Sequence, residues 1–243
     1  MGFSNRVPKK GYLARVDARW LHIPSDCDFV IFADADVMLL RRIDDLLEGL
    51  IESRSVSGVI AHYPFTHFTG ETPEQKWIAL ALQFIGIEMP LEHTYLFAKE
   101  DTVSSQRHCP FYLNFGFVIF PLEVAKQPCP TYLALRPRVA PHLQAPYYSG
   151  QVALTLAIYA YNVSRRAIAI KYNFPNDVIA ETLYPNDLRD IRVIHYLRTH
   201  HFDRQKIFTS PEEFECFLRL GLSDSEKILQ DHVRLLTGSR YPF

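Results

Sequence analysis

A mainly parallel sheet covered by helices is the α/β fold that this chain predicts, and three observations carry it. Helical and extended patterns alternate along the 243 residues, the strand candidates are dense apolar runs, and no linker divides the chain. In order, Tyr12, Val16 and Trp20 in "GYLARVDARWLHI" have helical spacing, and Pro24 stops that helix. The run Phe29 to Ala33 follows as a strand. "RRIDDLLEGLI" predicts a helix, and "SVSGVIAHY" a short strand. "TPEQKWIALALQFIG" predicts a helix entered through a Thr-Pro cap, with Gly86 near its end. "FYLNFGFVIF", dense in aromatic and β-branched residues and bounded by Pro110 and Pro121, is the next strand. A proline-rich stretch to Pro146 is mostly loop or short helix. "SGQVALTLAIYAY" predicts a buried helix capped by Ser149, and "RRAIAIKYNF" and "DIRVIHY" two more strands. The tail holds two helices, each opened by a Ser-x-x-Glu capping box, at Ser210 and at Ser223 with Glu226.

Composition bounds the function. With 48% hydrophobic residues the chain buries a full core, and we expect one soluble globular domain over 1–243, with 207–243 as a C-terminal helical extension. The 26 basic and 27 acidic residues nearly cancel, so no broad positive field is present to hold a nucleic-acid backbone. Cys27, Cys109, Cys129 and Cys216 form no CxxC pair and no metal-ligand spacing, and are expected as buried or free thiols. The N-terminal "MGFSNRVPKK" is basic, but no apolar h-region follows and no stretch reaches ~18 apolar residues. The expectation is a cytoplasmic protein with no membrane span. "NVS" at Asn162 has the form of a glycosylation acceptor but sits beside an apolar helical pattern, so chance is the better reading.

"DFVIFADADVML" sets two carboxylates at the end of a strand. In open parallel sheets ligands gather outside the carboxyl ends of the strands. Alternation in an extended segment puts Asp34 and Asp36 on one side and Ala35 on the other. Two carboxylates aimed into one small volume repel unless a cation sits between them, and Mg²⁺ or Mn²⁺ bound to phosphate oxygens suits them. The plain alternative is a pair of loop carboxylates capping the helix that begins near Ile43. Two chemistries use an apolar strand followed by Asp-x-Asp. One is nucleotide-sugar transfer; the other is phosphoryl transfer of the haloacid-dehalogenase type, with Asp34 as nucleophile.

The ordered set "YLAR" (12–15), "FADADVML" (32–39), "LNFGFVIF" (113–120), "SGQVALTLA" (149–157), "KYNF" (171–174) and "RVIHYL" (192–197) resembles GT-A fold glycosyltransferases. It is most similar to the glycogenin-like and galactosyltransferase-like retaining enzymes grouped as family 8. The likeness runs from about residue 10 to residue 205. The resemblance implies a Rossmann-like, nucleotide-diphospho-sugar transferase fold and metal-dependent transfer from a nucleotide sugar, with a UDP-sugar and overall retention expected. It implies Mn²⁺ (or Mg²⁺) on Asp34, Asp36 and His195, and donor or sugar contacts from Arg15, Ala35, Asn114 and Gly116; Arg204 is expected at the donor from its charge, in a stretch that departs from the family pattern. Gln151 is implied as the polar group nearest the reacting carbon. A glycan, a lipid or a protein is expected as the acceptor. A third expectation is a non-catalytic sugar-nucleotide-binding remnant of the same fold.

The residues read alone give partial support. Neutral imidazole is a competent third ligand beside two carboxylates, although a histidine there also serves as a cap or core residue. Asn114 either satisfies a strand end or, with Gly116, lets a sugar approach the backbone. The chain departs from the family pattern in three places. Gly150-Gln151 stands where Asp-Gln is usual, which removes a carboxylate. "LRTHHFDRQK" replaces the usual Gly and Lys-Pro-Trp, leaving His200, His201, Arg204 and Lys206 as sources of positive charge. Only residues 1–33 precede Asp34, whereas each base-gripping βα unit takes about 30 residues, so an N-terminally truncated fold is expected. The phosphohydrolase alternative lacks a later strand-end acidic pair, since "IRVI" ends at His195.

Overall fold

The computed structural model describes residues 27–65, 71–98, 108–125 and 127–243. The expected helix over 11–23, and Arg15 on it, lie outside the described residues. In chain order the elements are β1 (Phe29–Ala33), β2 (Val37–Leu39), α1 (Asp44–Ser53), β3 (Val56–Ile60), α2 (Pro73–Ile85), β4 (His93–Thr94), β5 (His108–Cys109), β6 (Leu113–Pro121), α3 (Leu122–Ala125), α4 (Cys129–Val139), α5 (Ser149–Ala160), β7 (Arg165–Ala167), β8 (Phe174–Pro175), α6 (Val178–Leu183), α7 (Pro185–Arg189), β9 (Val193–His195), α8 (Pro211–Arg219) and α9 (Asp224–Thr237). The described residues fall into two compact units, one of residues 27–32 with those of 47–167 and one of residues 33–46 with 168–243.

The first unit is built on a four-stranded sheet in the order β1-β6-β3-β7. β3 runs antiparallel to β6 (Ser57↔Ile119, Gly58↔Val118) and parallel to β7 (Val56↔Arg165). β3 (Val-Ser-Gly-Val-Ile) is buried throughout, and its one polar side chain, Ser57, donates to the Ser55 carbonyl (3.1 Å). α2 opens with a full capping box: Gln75 N–H donates to Thr72 Oγ1 (3.2 Å) and Thr72 N–H to Gln75 Oε1 (2.9 Å). It closes on Gly86 at φ 68°, the left-handed cap that glycine adopts without strain. Its buried Trp77 donates to the Tyr95 hydroxyl (3.0 Å) and meets Phe65 and Tyr112 edge-on. α5 is buried along nearly its whole length.

The second unit carries a three-stranded sheet in the order β2-β9-β8, with β9 antiparallel to β2 and parallel to β8. Phe174, Val193, Ile194, Phe214, Phe217 and Leu229 are fully buried in this unit. α8 begins at Ser210, whose Oγ accepts from Glu213 N–H (3.2 Å). α9 begins after Ser223, whose N–H donates to Glu226 Oε2 (3.2 Å).

Three expectations need correcting. The sheets are mixed rather than mainly parallel. An apolar run reports burial of a strand on both faces, but its direction is set by the connections, which the pattern does not contain. "RRAIAIKYNF" is not one strand: β7 ends at Ala167, a 3-10 turn spans Ile170–Tyr172, and β8 begins at Phe174 in the other sheet. Asn173, at φ −164° and ψ 54°, marks the break. Ser149 does not cap α5. A 3-10 turn over Pro146–Tyr148 runs into the helix, so Ser149 already has helical angles and is fully buried instead of standing extended before the first turn.

Candidate functional site

The site is built inside the second unit, where the chain turns from β1 into β2. Ala35 and Asp36 occupy a turn, so the two aspartates are brought together by that turn and not by the pleat of an extended strand. β2 then pairs with β9 in the register Val37↔His195, and Tyr196 N–H donates to the Asp36 carbonyl (3.0 Å). This register sets His195 beside Asp36, with Nε2 3.4 Å from Asp36 Oδ1. One ligand atom from each of Asp34, Asp36 and His195 lies within 4.8 Å of the others. Tyr196 closes the turn from behind: its hydroxyl donates to the Ala35 carbonyl (3.4 Å), and burial, then the Asp36 charge, push the phenol up so that it stays a neutral donor.

The donor set fits a divalent cation. Ligand bonds of about 2.1 Å place ligand atoms roughly 3–4 Å apart, so the observed spread closes with small side-chain rotations. His195 is only 5% exposed, and its Nδ1 is buried with no hydrogen-bond partner among the described residues. A buried polar atom left in this way costs about 1–3 kcal/mol unless a ligand or water satisfies it. Burial pushes the Asp36 carboxyl up, but the hydrogen bond and charge of His195 and the charge of Arg204 outweigh it and hold Asp36 below the usual carboxylate range.

Arg204 reaches this carboxylate from the loop after β9. Its Nη1 donates to Asp36 Oδ2 and to the Leu197 carbonyl (3.0 Å). The loop is pinned along its length. Asn176 accepts from Arg198 N–H (2.8 Å) and donates to the Arg198 carbonyl (3.2 Å), while Arg198 Nε donates to Asp177 Oδ2 (2.8 Å). His201 Nδ1 lies 2.7 Å from Oε2 of Glu226, a carboxylate 1% exposed that also accepts from Asn176 Nδ2 (3.0 Å). Phe202 packs on Phe217. Of the basic residues expected here, Arg204 faces Asp36, His201 is held by Glu226, Lys206 pairs with Asp203 at the surface (4.0 Å), and His200 is exposed.

Asn114, Gly116 and Gln151 belong to the first unit. The register between β3 and β6 jumps from Gly58↔Val118 to Ile60↔Leu113, so residues 114–117 face Val59 alone in a wide bulge. Within it Asn114 Oδ1 accepts from Gly116 N–H (2.9 Å). Gln151 Oε1 accepts from the buried Tyr112 hydroxyl (2.7 Å). A Cβ at Gly150 would lie 3.3 Å from the Phe115 ring and 3.6 Å from the Tyr132 hydroxyl, so a methyl fits if that ring gives by a few tenths of an ångström and a longer side chain does not fit without larger shifts. The sequence did not point to Glu226 or Tyr196. Glu226 is visible only as a helix-capping residue, and nothing local marks it as buried.

No protein-family model matches the sequence, and no curated protein does. Among solved structures, the apo crystal structure of mouse xyloside xylosyltransferase 1 is similar to this chain at 12% identity and a TM-score of 0.41, over 74% of this chain and 61% of that one. The structure of the galactosyltransferase LgtC in complex with donor and acceptor sugar analogs is similar at 15% identity and a TM-score of 0.41, over 76% of this chain and 59% of that one. The chain thus spans about three fifths of the length of each. No helix among the described residues is long and apolar enough to cross a membrane.

Proposed function

We propose that this chain is a metal-dependent glycosyltransferase of the GT-A type, similar to family 8, that moves a sugar from a nucleotide-diphosphate donor, a UDP-sugar, to an acceptor with retention. The observation that carries the reading is the convergence of Asp34, Asp36 and the buried His195, whose Nε2 faces Asp36 Oδ1. The ordered sequence resemblance supports it. Asp34, Asp36 and His195 would hold the ion, Mn²⁺ or Mg²⁺, which supplies positive charge to a diphosphate leaving group. Arg204 adds a guanidinium beside the same carboxylate, a donor fork suited to phosphate oxygens. On the resemblance alone, Arg15 and Ala35 are assigned to the donor, and Asn114, Gly116 and Gln151 to the sugar. The phosphoryl-transfer alternative is disfavoured by the third member of the cluster, which among the described residues is an imidazole and not a further carboxylate.

Calorimetric titration of UDP with and without Mn²⁺ tests the proposal. Wild type is expected to bind UDP in a Mn²⁺-dependent way, and both Asp36→Ala and His195→Gln to lose that dependence, while donor-sugar hydrolysis separates an active transferase from a binding remnant. UDP binding indifferent to Mn²⁺ would sink the metal centre, and beryllofluoride binding in its place would favour phosphoryl transfer.

A further inference from the structure

Resting on that reading of the metal centre, we infer that Arg204 is a built-in competitor for the metal's carboxylate and thereby makes cation and nucleotide diphosphate bind together. The observation is the bond from Arg204 Nη1 to Asp36 Oδ2, made by a residue that the loop delivers to this place. Arg198 is tied to Asn176 and Asp177 on one side of the loop, and His201 and Phe202 are tied to Glu226 and Phe217 nearer to Arg204. The Leu197 carbonyl holds the guanidinium a second time (3.0 Å). The pairing is therefore a consequence of how the loop is fastened, and not the chance landing of a long surface side chain.

Arg204 takes Oδ2 of Asp36 and leaves Oδ1, the oxygen that faces His195, so the guanidinium competes with a cation for the negative charge of the carboxylate and not for one lone pair. A divalent ion on Asp36 would also stand within a few ångströms of a fixed positive charge. A bare cation therefore binds against this fixed charge or moves Arg204 off Asp36, and in either case its attraction to the carboxylate is reduced. A cation that arrives with a diphosphate brings anionic oxygens to the same place, and the guanidinium fork transfers to them from Asp36. The Arg204 side chain is 31% exposed, which leaves it room to swing. The result is positive coupling: nucleotide tightens the cation, and by linkage the cation tightens nucleotide by the same factor.

The test compares Mn²⁺ uptake, read as free Mn²⁺ by electron paramagnetic resonance, for wild type, Arg204→Gln and Arg204→Lys, each with and without saturating UDP. Circular dichroism and a urea midpoint confirm that each variant is folded. Arg204→Gln is expected to bind Mn²⁺ alone on the order of 10-fold tighter than wild type and to gain less from UDP. Arg204→Lys, which keeps the charge and loses the fork, is expected to fall between them and gives the same comparison if the Gln variant does not fold. Equal or weaker Mn²⁺ binding by the variants overturns the inference and leaves the metal centre standing, including the case in which no chain takes up Mn²⁺ alone but all do with UDP. Failure of every chain to take up Mn²⁺ even with UDP overturns both.

Discussion

At the scale of single residues, the site is a set of exchanges between charge, burial and space. Asp36 keeps its charge although burial opposes it, because an imidazole and a guanidinium lie against it. Gly150 shows the opposite case, a position where the packing has no place for a charge. Gly150→Ala needs the Phe115 ring to give by a few tenths of an ångström, and the helix gains up to about 1 kcal/mol from losing glycine, so the variant is expected near wild-type stability. Gly150→Asp adds a carboxylate to a buried site beside an aromatic ring, and is expected to cost about 2–3 kcal/mol more than the alanine variant. Urea unfolding of the two variants checks this; equal midpoints would show that the missing acid is not a matter of space. The Asp34–Asp36 pair was legible in the sequence because it is a local motif on an apolar run. Its pairing with His195 was legible only through resemblance, and the Arg204 contact not at all, since a bond between residues 168 positions apart leaves no periodic trace.

At the scale of elements, the caps were the most legible feature and the strand directions the least. Thr72, Gly86, Ser210 and Ser223 each mark a helix boundary through chemistry confined to a few neighbours. Strand direction and the division of "RRAIAIKYNF" between two sheets depend on distant partners, which no window of ten residues contains. Glu226 joins both kinds of information. It is a capping residue of α9, yet its carboxylate also accepts from Asn176 and meets His201, so the helix start fastens the loop that carries Arg204. Glu226→Ala leaves the buried Asn176 amide and the Ser223 N–H without their acceptor and is expected to cost about 2–4 kcal/mol. Hydrogen exchange should then rise over residues 197–206 before it rises in β9, while Glu226→Gln, which still accepts from Asn176, should change both less. Unaltered exchange in that loop would show that α9 does not hold it.

At the scale of the whole chain, each unit is assembled from pieces far apart in sequence, and in the second unit ion pairs join them. Asp190 receives Arg41 (3.0 Å) from the short first piece of that unit and Lys171 (2.9 Å) and Arg192 (2.9 Å) from the long second piece. Arg192 Nη1 also donates to the Arg42 carbonyl (2.8 Å). The hydrogen bond from Lys171, with Arg192 beside it, holds the Asp190 carboxyl down at about 2. Glu181, where burial pushes the carboxyl up but the bonds from Ser225 and Ser223 outweigh it, is lowered too, as is Asp36. A carboxyl lowered on folding contributes stability above its unfolded value, about pH 4, and loses that contribution as pH falls through the folded value. Urea midpoints followed by circular dichroism are therefore expected to hold steady from pH 7 to 5 and to fall between pH 4 and 2. Asp190 is part exposed, so added salt should reduce its share of this fall. Asp190→Asn is expected to be less stable than wild type at pH 6 and to lose less between pH 4 and 2, so that the two curves converge in acid. Parallel curves would mean that Asp190 does not join the two pieces through its charge.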